Sequence, residues 1–236
     1  MSAGASVSWA PDGRLLYGIG GVETSEIFDW PADGSTGGRK LVEGTSARRV
    51  AGRPEIYFTR DERGAWRLRR AALQADGTVS APEAILGAST EPMVRWFDVS
   101  SAGRLLAFTD ADGDTHQMNI FVATLPDLRE RRQVTSTGGV QPKFSRDNTQ
   151  LFYLSGTRTD AGTTHGQLSA VSIAMNPLTI GAPSVLLVED PAQGLTLAPF
   201  DVAADGRLLM TRRADASPGD GARVVFVQNW VAATIK

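Results

Sequence analysis

The sequence predicts an all-β fold, a β-propeller of four-stranded antiparallel blades with five repeats visible. Three observations carry this. First, a strand–turn–strand unit recurs: SWAPDGRLLYGI at 8–19, RVAGRPEIYFTR at 49–60, WFDVSSAGRLLAFT at 96–109, KFSRDNTQLFYLS at 143–155 and PFDVAADGRLLMTR at 199–212. Second, the copies are spaced about 40 to 60 residues apart, and strand-rich units of about this length are propeller blades. Third, the turns within them are Asp-Gly or near-equivalents between runs of β-branched, aromatic and leucine residues, which is hairpin chemistry.

Each unit divides into strands by alternation and turn residues. In the first, the pair around Pro11-Asp12-Gly13 leads to Glu26–Trp30. The turn Pro31-Ala32-Asp33-Gly34 follows, and Arg39–Val42 makes the outer strand. The second reads as Arg48–Ala51, Glu55–Thr59, Trp66–Ala71 and Ala84–Leu86. The third reads as Val94–Val99, Leu105–Thr109, Asn119–Thr124 and Arg132–Thr135. The fourth reads as Gln141–Phe144, Leu151–Leu154, Leu168–Ile173 and Val185–Val188, with a long hairpin loop at Gly156–Gly166. The fifth reads as Pro199–Val202, Leu208–Arg212 and Val224–Val227, with no obvious fourth strand. The blades fall at about 7–44, 48–87, 94–136, 140–189 and 197–236. A ring closed through residues 2–7 would have a weak seam; the alternative is the C-terminal part of a six-bladed propeller. Trp9, Trp30, Trp96, Phe144 and Phe200 recur at repeat-equivalent places and are expected to fill the wedges between blades.

The bulk numbers narrow the function classes. A formal charge of −2 gives no excess that would seek nucleic acid. No apolar run approaches the roughly 20 residues that cross a bilayer, and MSAGASVSW lacks the basic and apolar regions of a signal peptide, so the expectation is a soluble chain. The compartment is cytoplasmic as read, periplasmic if a signal was removed. With no cysteine, disulfides and thiolate chemistry are excluded.

The Pro-Asp-Gly repeats resemble those of TolB-type, WD-like bacterial β-propellers, over nearly the whole chain. IFDWPADGSTGGRKLVEG resembles the third and fourth strands of such repeats, and RRQVTSTGGVQPKFSRDNTQLFYLSG the junction from one repeat to the next. The final PFDVAADGRLLMTRR and VVFVQNWVAATIK resemble the closing repeat of propellers at the C-termini of bacterial kinases and transcriptional regulators. The resemblance implies a protein- or ligand-binding scaffold, commonly six-bladed. Similar propellers also cover the active sites of prolyl-oligopeptidase-type peptidases.

No catalytic motif stands out. There is no Gly-x-Ser-x-Gly elbow and no phosphate-binding glycine loop. The Asp-Gly pairs at 12–13, 33–34, 76–77, 112–113 and 205–206 read as tight turns, because Asp bonds its own backbone and Gly accepts positive φ. Asp110, Asp112 and Asp114 are a weak calcium candidate, but the positions that an EF-hand loop gives to Gly and Glu hold Thr115 and Phe121. His116 and His165, the only histidines, are expected in analogous hairpin loops. Arg60, Arg63, Arg67 and Arg69 around Trp66 form the candidate interaction patch, since Arg and Trp are favoured at interface hot spots. The expected function is a non-catalytic scaffold without cofactor, binding a protein or small ligand at a propeller mouth. The mouth is expected to use the loops Arg60–Trp66, Asp110–Gln117 and Gly156–Gly166. The competing class is a propeller-type hydrolase, glycosidase-like, or the regulatory propeller of a peptidase.

Overall fold

The computed structural model describes residues 6–20, 25–50, 52–62, 64–86, 94–111, 117–158, 164–189, 195–203, 205–212 and 223–227. All the described regular structure is β, and the sheets follow one another in chain order as propeller blades. The first sheet holds β1 (Ser6–Trp9), β2 (Arg14–Gly20), β3 (Ser25–Pro31) and β4 (Arg39–Glu43). The second holds β5 (Ala47–Arg49), β6 (Glu55–Glu62), β7 (Ala65–Ala72) and β8 (Glu83–Leu86). The third holds β9 (Phe97–Val99), β10 (Leu105–Ala111), β11 (Met118–Thr124) and β12 (Arg131–Gln133). The fourth holds β13 (Val140–Phe144), β14 (Gln150–Arg158), β15 (Thr164–Ala174), β16 (Thr179–Ile180) and β17 (Ser184–Val188); both β16 and β17 pair with β15. A fifth sheet holds β18 (Leu195–Val202), β19 (Leu208–Arg212) and β20 (Arg223–Val227).

The turns between first and second strands use the expected chemistry. Gly13 and Gly206 have φ of 78° and 83°, and Asp12 and Asp205 accept the backbone N–H of Arg14 and Arg207 at 3.3 and 3.2 Å. The fourth sheet solves the same problem without glycine. Asn148 takes the left-handed conformation at φ 62°, and Asp147 accepts from Thr149 N–H at 3.1 Å. The Ser145 hydroxyl and the Thr149 N–H and hydroxyl hold the Asp147 carboxyl below its ordinary value.

Alternation puts one row of side chains against the preceding sheet and one against the next, so an apolar core fills each wedge. Leu16 and Ile27 meet Ile56 and Phe58 between the first and second sheets. Tyr57 and Leu68 meet Leu106 and Phe108 between the second and third. Leu105 and Ile120 meet Phe144, Leu151 and Tyr153 between the third and fourth. Phe152 and Leu168 meet Phe200, Leu208 and Met210 between the fourth and fifth. Phe144 and Phe200 thus pack as expected. Trp9 and Trp30 do not: they are 66% and 38% exposed, because among the described residues no strand packs over the front of the first sheet.

Polar ties join the inner strands. Ladder register places Ser8, Arg48, Asp98, Lys143 and Asp201 at corresponding inner-strand positions, opposite Leu16, Tyr57, Ala107, Phe152 and Leu209 near the start of each second strand. Ser8 donates its hydroxyl to Ala47 O at 2.7 Å. Arg48 Nε lies 3.0 Å from Asp98 Oδ1, and Asp98 Oδ2 accepts the backbone N–H of Phe144 at 2.9 Å. Lys143 Nζ lies 3.2 Å from Asp201. Asp98 therefore ties three consecutive sheets.

Asp98→Ala should cost about 2–4 kcal/mol in urea unfolding, since it leaves a largely buried guanidinium and a backbone N–H unpaired. Asp201→Ala, at an exposed pair, should cost under about 1 kcal/mol. Equal costs would show that the tie at Asp98 has no special weight. The acid side offers a second check. A carboxyl with a depressed folded pKa stabilises above its unfolded value of about 3.9, and that contribution is lost as pH falls through the folded value. Asp147→Asn should therefore flatten the loss of stability below about pH 4 in acid melts.

Candidate binding site

Antiparallel order within each sheet places two kinds of connection at opposite ends. The turns between first and second strands lie at one end; the hairpins between second and third strands and the sheet-to-sheet links lie at the other. A cavity of about 380 Å³ opens at this second end, between the third and fourth sheets. That is within the volume range of small-molecule and peptide-side-chain sites.

One wall comes from the third sheet. Asn119, buried in β11, accepts the N–H of Gly138 at 3.0 Å and the Thr135 hydroxyl at 3.3 Å. Thr135 Oγ1 in turn accepts the N–H of Ile120 at 2.9 Å, and Gly139 N–H reaches Met118 O at 2.9 Å. These bonds fold the Ser-Thr-Gly-Gly link flat against β11. Glycine is required twice there: Gly138 has φ 98°, and a Cβ on Gly139 would lie 2.9 Å from Ile120 Cδ1. Gln117 and Met118 complete this wall.

The other wall comes from the fourth sheet. Gly156 and Gly166 stand opposite each other in the β14–β15 ladder. Glu189, just past β17, accepts Gly166 N–H at 2.8 Å and returns its own N–H to Gly166 O at 2.7 Å. Val140 and Leu154 supply apolar surface, and Ser155 a hydroxyl. The result is a cleft with exposed backbone, an apolar side and one carboxylate. It can seat a small ligand or a side chain of a partner, with donors directed at Glu189.

The sequence-level candidates fall differently. The Gly156–Gly166 stretch is mostly ladder: pairing continues through Thr157↔His165 and Arg158↔Thr164, so His165 stands in β15. The stretch Arg60–Trp66 is also ladder, with Glu62 opposite Ala65. Its arginines are matched by carboxylates. Arg60 meets Glu43 at 2.7 Å, and Arg67 and Arg69 both meet Glu62, at 3.1 and 2.6 Å. Arg70 meets Glu83 at 2.8 Å. Burial and the hydrogen bond to Glu55 push the Tyr57 phenol up to about 12. Trp66 carries the Arg95 guanidinium 5.1 Å from its ring centroid. This face is thus a set of paired charges rather than a bare cationic patch. Asp110 is bound by Arg131 at 3.0 Å. Arg63, Asp112, Asp114 and His116 lie outside the described residues. Among the described residues no group of three His, Asp or Glu is placed to hold a metal ion, and no helix is long and apolar enough to cross a membrane.

Two of the stretches expected at a propeller mouth reach the cavity, through Gln117 and through Gly156 and Gly166; the rest of its lining was not singled out by sequence. Gly138-Gly139 signals only a link, and Glu189 only the end of an outer strand. Asn119→Ala should cost about 1–3 kcal/mol, because it strands the N–H of Gly138 and loosens the wall. Thermal melts that match the native chain would remove Asn119 from this role.

No family model matches the chain, and no curated protein matches it. Solved structures do. TolB from Acinetobacter baumannii superposes with a TM-score of 0.59 at 17% identity, over 94% of this chain and 49% of that one. The Cps50 (Swd1) β-propeller domain of Myceliophteria thermophila gives 0.60 at 10% identity, over 95% and 72%. A gluconolactonase from Xanthomonas campestris gives 0.59 at 16% identity, over 94% and 71%. The chain spans about half the length of the TolB chain. What it shares with all three is the β-propeller fold.

Proposed function

We propose that the chain is a non-catalytic binding scaffold that seats a small ligand or a segment of a protein partner in the cleft between its third and fourth sheets. The observation that carries this reading is the cross-strand glycine pair, Gly156 and Gly166, on the wall of a cavity of about 380 Å³. Glycine inside a strand weakens the ladder and gives no packing surface; it suits a place where another group approaches the backbone. Here Gly166 is also held open, since a Cβ would sit 2.9 Å from the Glu189 carboxylate. The apolar wall and the carboxylate suit an occupant with an apolar body and an amine or amide donor.

The test is a ligand-observed NMR screen of fragments and short peptides, repeated with Ser155→Trp, which fills the cleft, and Glu189→Gln, which removes its charge. Binding should be lost in the first variant and weakened about tenfold or more for amines in the second, the loss of a charge-assisted bond. Binding unchanged in both would place the site elsewhere. Turnover of chromogenic lactones, glycosides or peptides by the purified chain would replace the scaffold reading with a hydrolase one.

A further inference from the structure

The front of the first sheet carries the residues of a blade interface, and nothing among the described residues covers it. Ladder register makes Leu15 equivalent to Ile56, Leu106, Leu151 and Leu208. Tyr17, two residues on, is equivalent to Phe58, Phe108, Tyr153 and Met210. All eight counterparts are 0–4% exposed, each covered by the sheet before it. In the first sheet the same face bears Val7 at 58%, Trp9 at 66%, Ile19 at 44% and Trp30 at 38% exposure. Trp9, Leu15 and Trp30 form one cross-strand row. An apolar face of this kind is exceptional on a free surface. Among the described residues the fifth sheet, packed on the fourth, makes no comparable contact with the first. At that other end Asp201 is 63% exposed, whereas its counterpart Asp98 is 13% exposed and accepts the N–H of Phe144 from the sheet that follows.

We propose that this face docks one further propeller blade, a four-stranded antiparallel sheet that sits between the fifth sheet and the first. Its trailing apolar face covers Trp9, Leu15, Tyr17 and Trp30, continuing the four junctions already present. Its inner strand offers Asp201 a backbone N–H, as Phe144 does for Asp98. A peptide strand or a lipid surface would satisfy only one of the two sides; a blade satisfies both.

The test starts with the chain as it stands. Light scattering should give a monomer, and acrylamide should quench a tryptophan component that disappears in Trp9→Phe. A second copy of residues 45–93, the second blade and its link, is then fused ahead of residue 4. In this extended chain the Trp9 component should become several-fold harder to quench and the melting temperature should rise. Trp9→Asp in the extended chain should reverse both. A monomeric native chain whose Trp9 is already shielded would overturn the proposal in favour of closure on its own fifth sheet. A native dimer with shielded Trp9 would overturn it in favour of a second copy. An extended chain with Trp9 as quenchable as before would also overturn it.

Discussion

The structure depends on how one inner-strand carboxylate, Asp98, holds three sheets together. Apolar faces attract each other without direction, so stacked sheets alone do not fix their stagger about a central axis. Asp98 supplies direction: one oxygen faces Arg48 of the sheet before and the other accepts the N–H of Phe144 of the sheet after. Lys143 and Asp201 repeat half of this arrangement at the next junction, and Ser8 with Ala47 O makes a neutral version at the first. The sign of the charge alternates along this equivalent position, Arg48, Asp98, Lys143, Asp201. Like charges on neighbouring inner strands would repel across the narrow axis, where screening by water is reduced.

With the inner strands fixed, the two ends of the blades are under different constraints. At one end, tight turns close the first hairpins; in the first and fifth sheets an Asp-Gly pair does so with bonds internal to the turn, Asp12 to Arg14 and Asp205 to Arg207. The opposite end has no common recipe. There the third-to-fourth link is flattened by Asn119, and the fourth sheet extends its central hairpin through Arg158 and Thr164. The difference in height between a flattened link and a long hairpin is what leaves a cleft at that junction.

Much of this was legible in the sequence, because strands and tight turns are set locally. Alternation around Leu15-Leu16, Leu105-Leu106 and Leu208-Leu209 marks the second strands, and a turn ending in glycine (Asp-Gly at 12–13 and 205–206, Ala-Gly at 102–103) precedes each of them. What failed to show depends on partners distant in sequence. The arginines read as a candidate patch although Asp61 and Glu62 stand close by in sequence; what sequence does not show is that Glu43, from the sheet before, pairs with Arg60. The Gly156–Gly166 stretch read as a loop because its glycines are weak strand signals, which pairing overrides. Trp9 matched the pattern of buried aromatics, and pattern alone does not say whether a covering sheet is present. The cleft was legible only in part for a similar reason: Gln117 and Gly156 fall in stretches that sequence marks, whereas Gly138 and Glu189 join them only through sheet packing.

The glycine pair bears on why the cleft lies between these two sheets. The β14–β15 ladder is the longest in the molecule among the described residues, and its apolar rows from Leu151 to Leu154 pack on both neighbours. Stability alone would favour β-branched residues opposite each other at its far end, where a cross-strand pair contributes a few tenths to about 1 kcal/mol. Glycine at both 156 and 166 forgoes that contribution and adds chain entropy to the unfolded state. No turn or positive φ requires either residue: neither is among the glycines with left-handed backbone, unlike Gly138 across the cleft. Gly166 is also constrained by the Glu189 carboxylate, which accepts its N–H at 2.8 Å and would lie 2.9 Å from a Cβ placed there. Under the proposed function, the backbone at Gly156 and Gly166 is the wall that an occupant meets, with Met118 across the cleft.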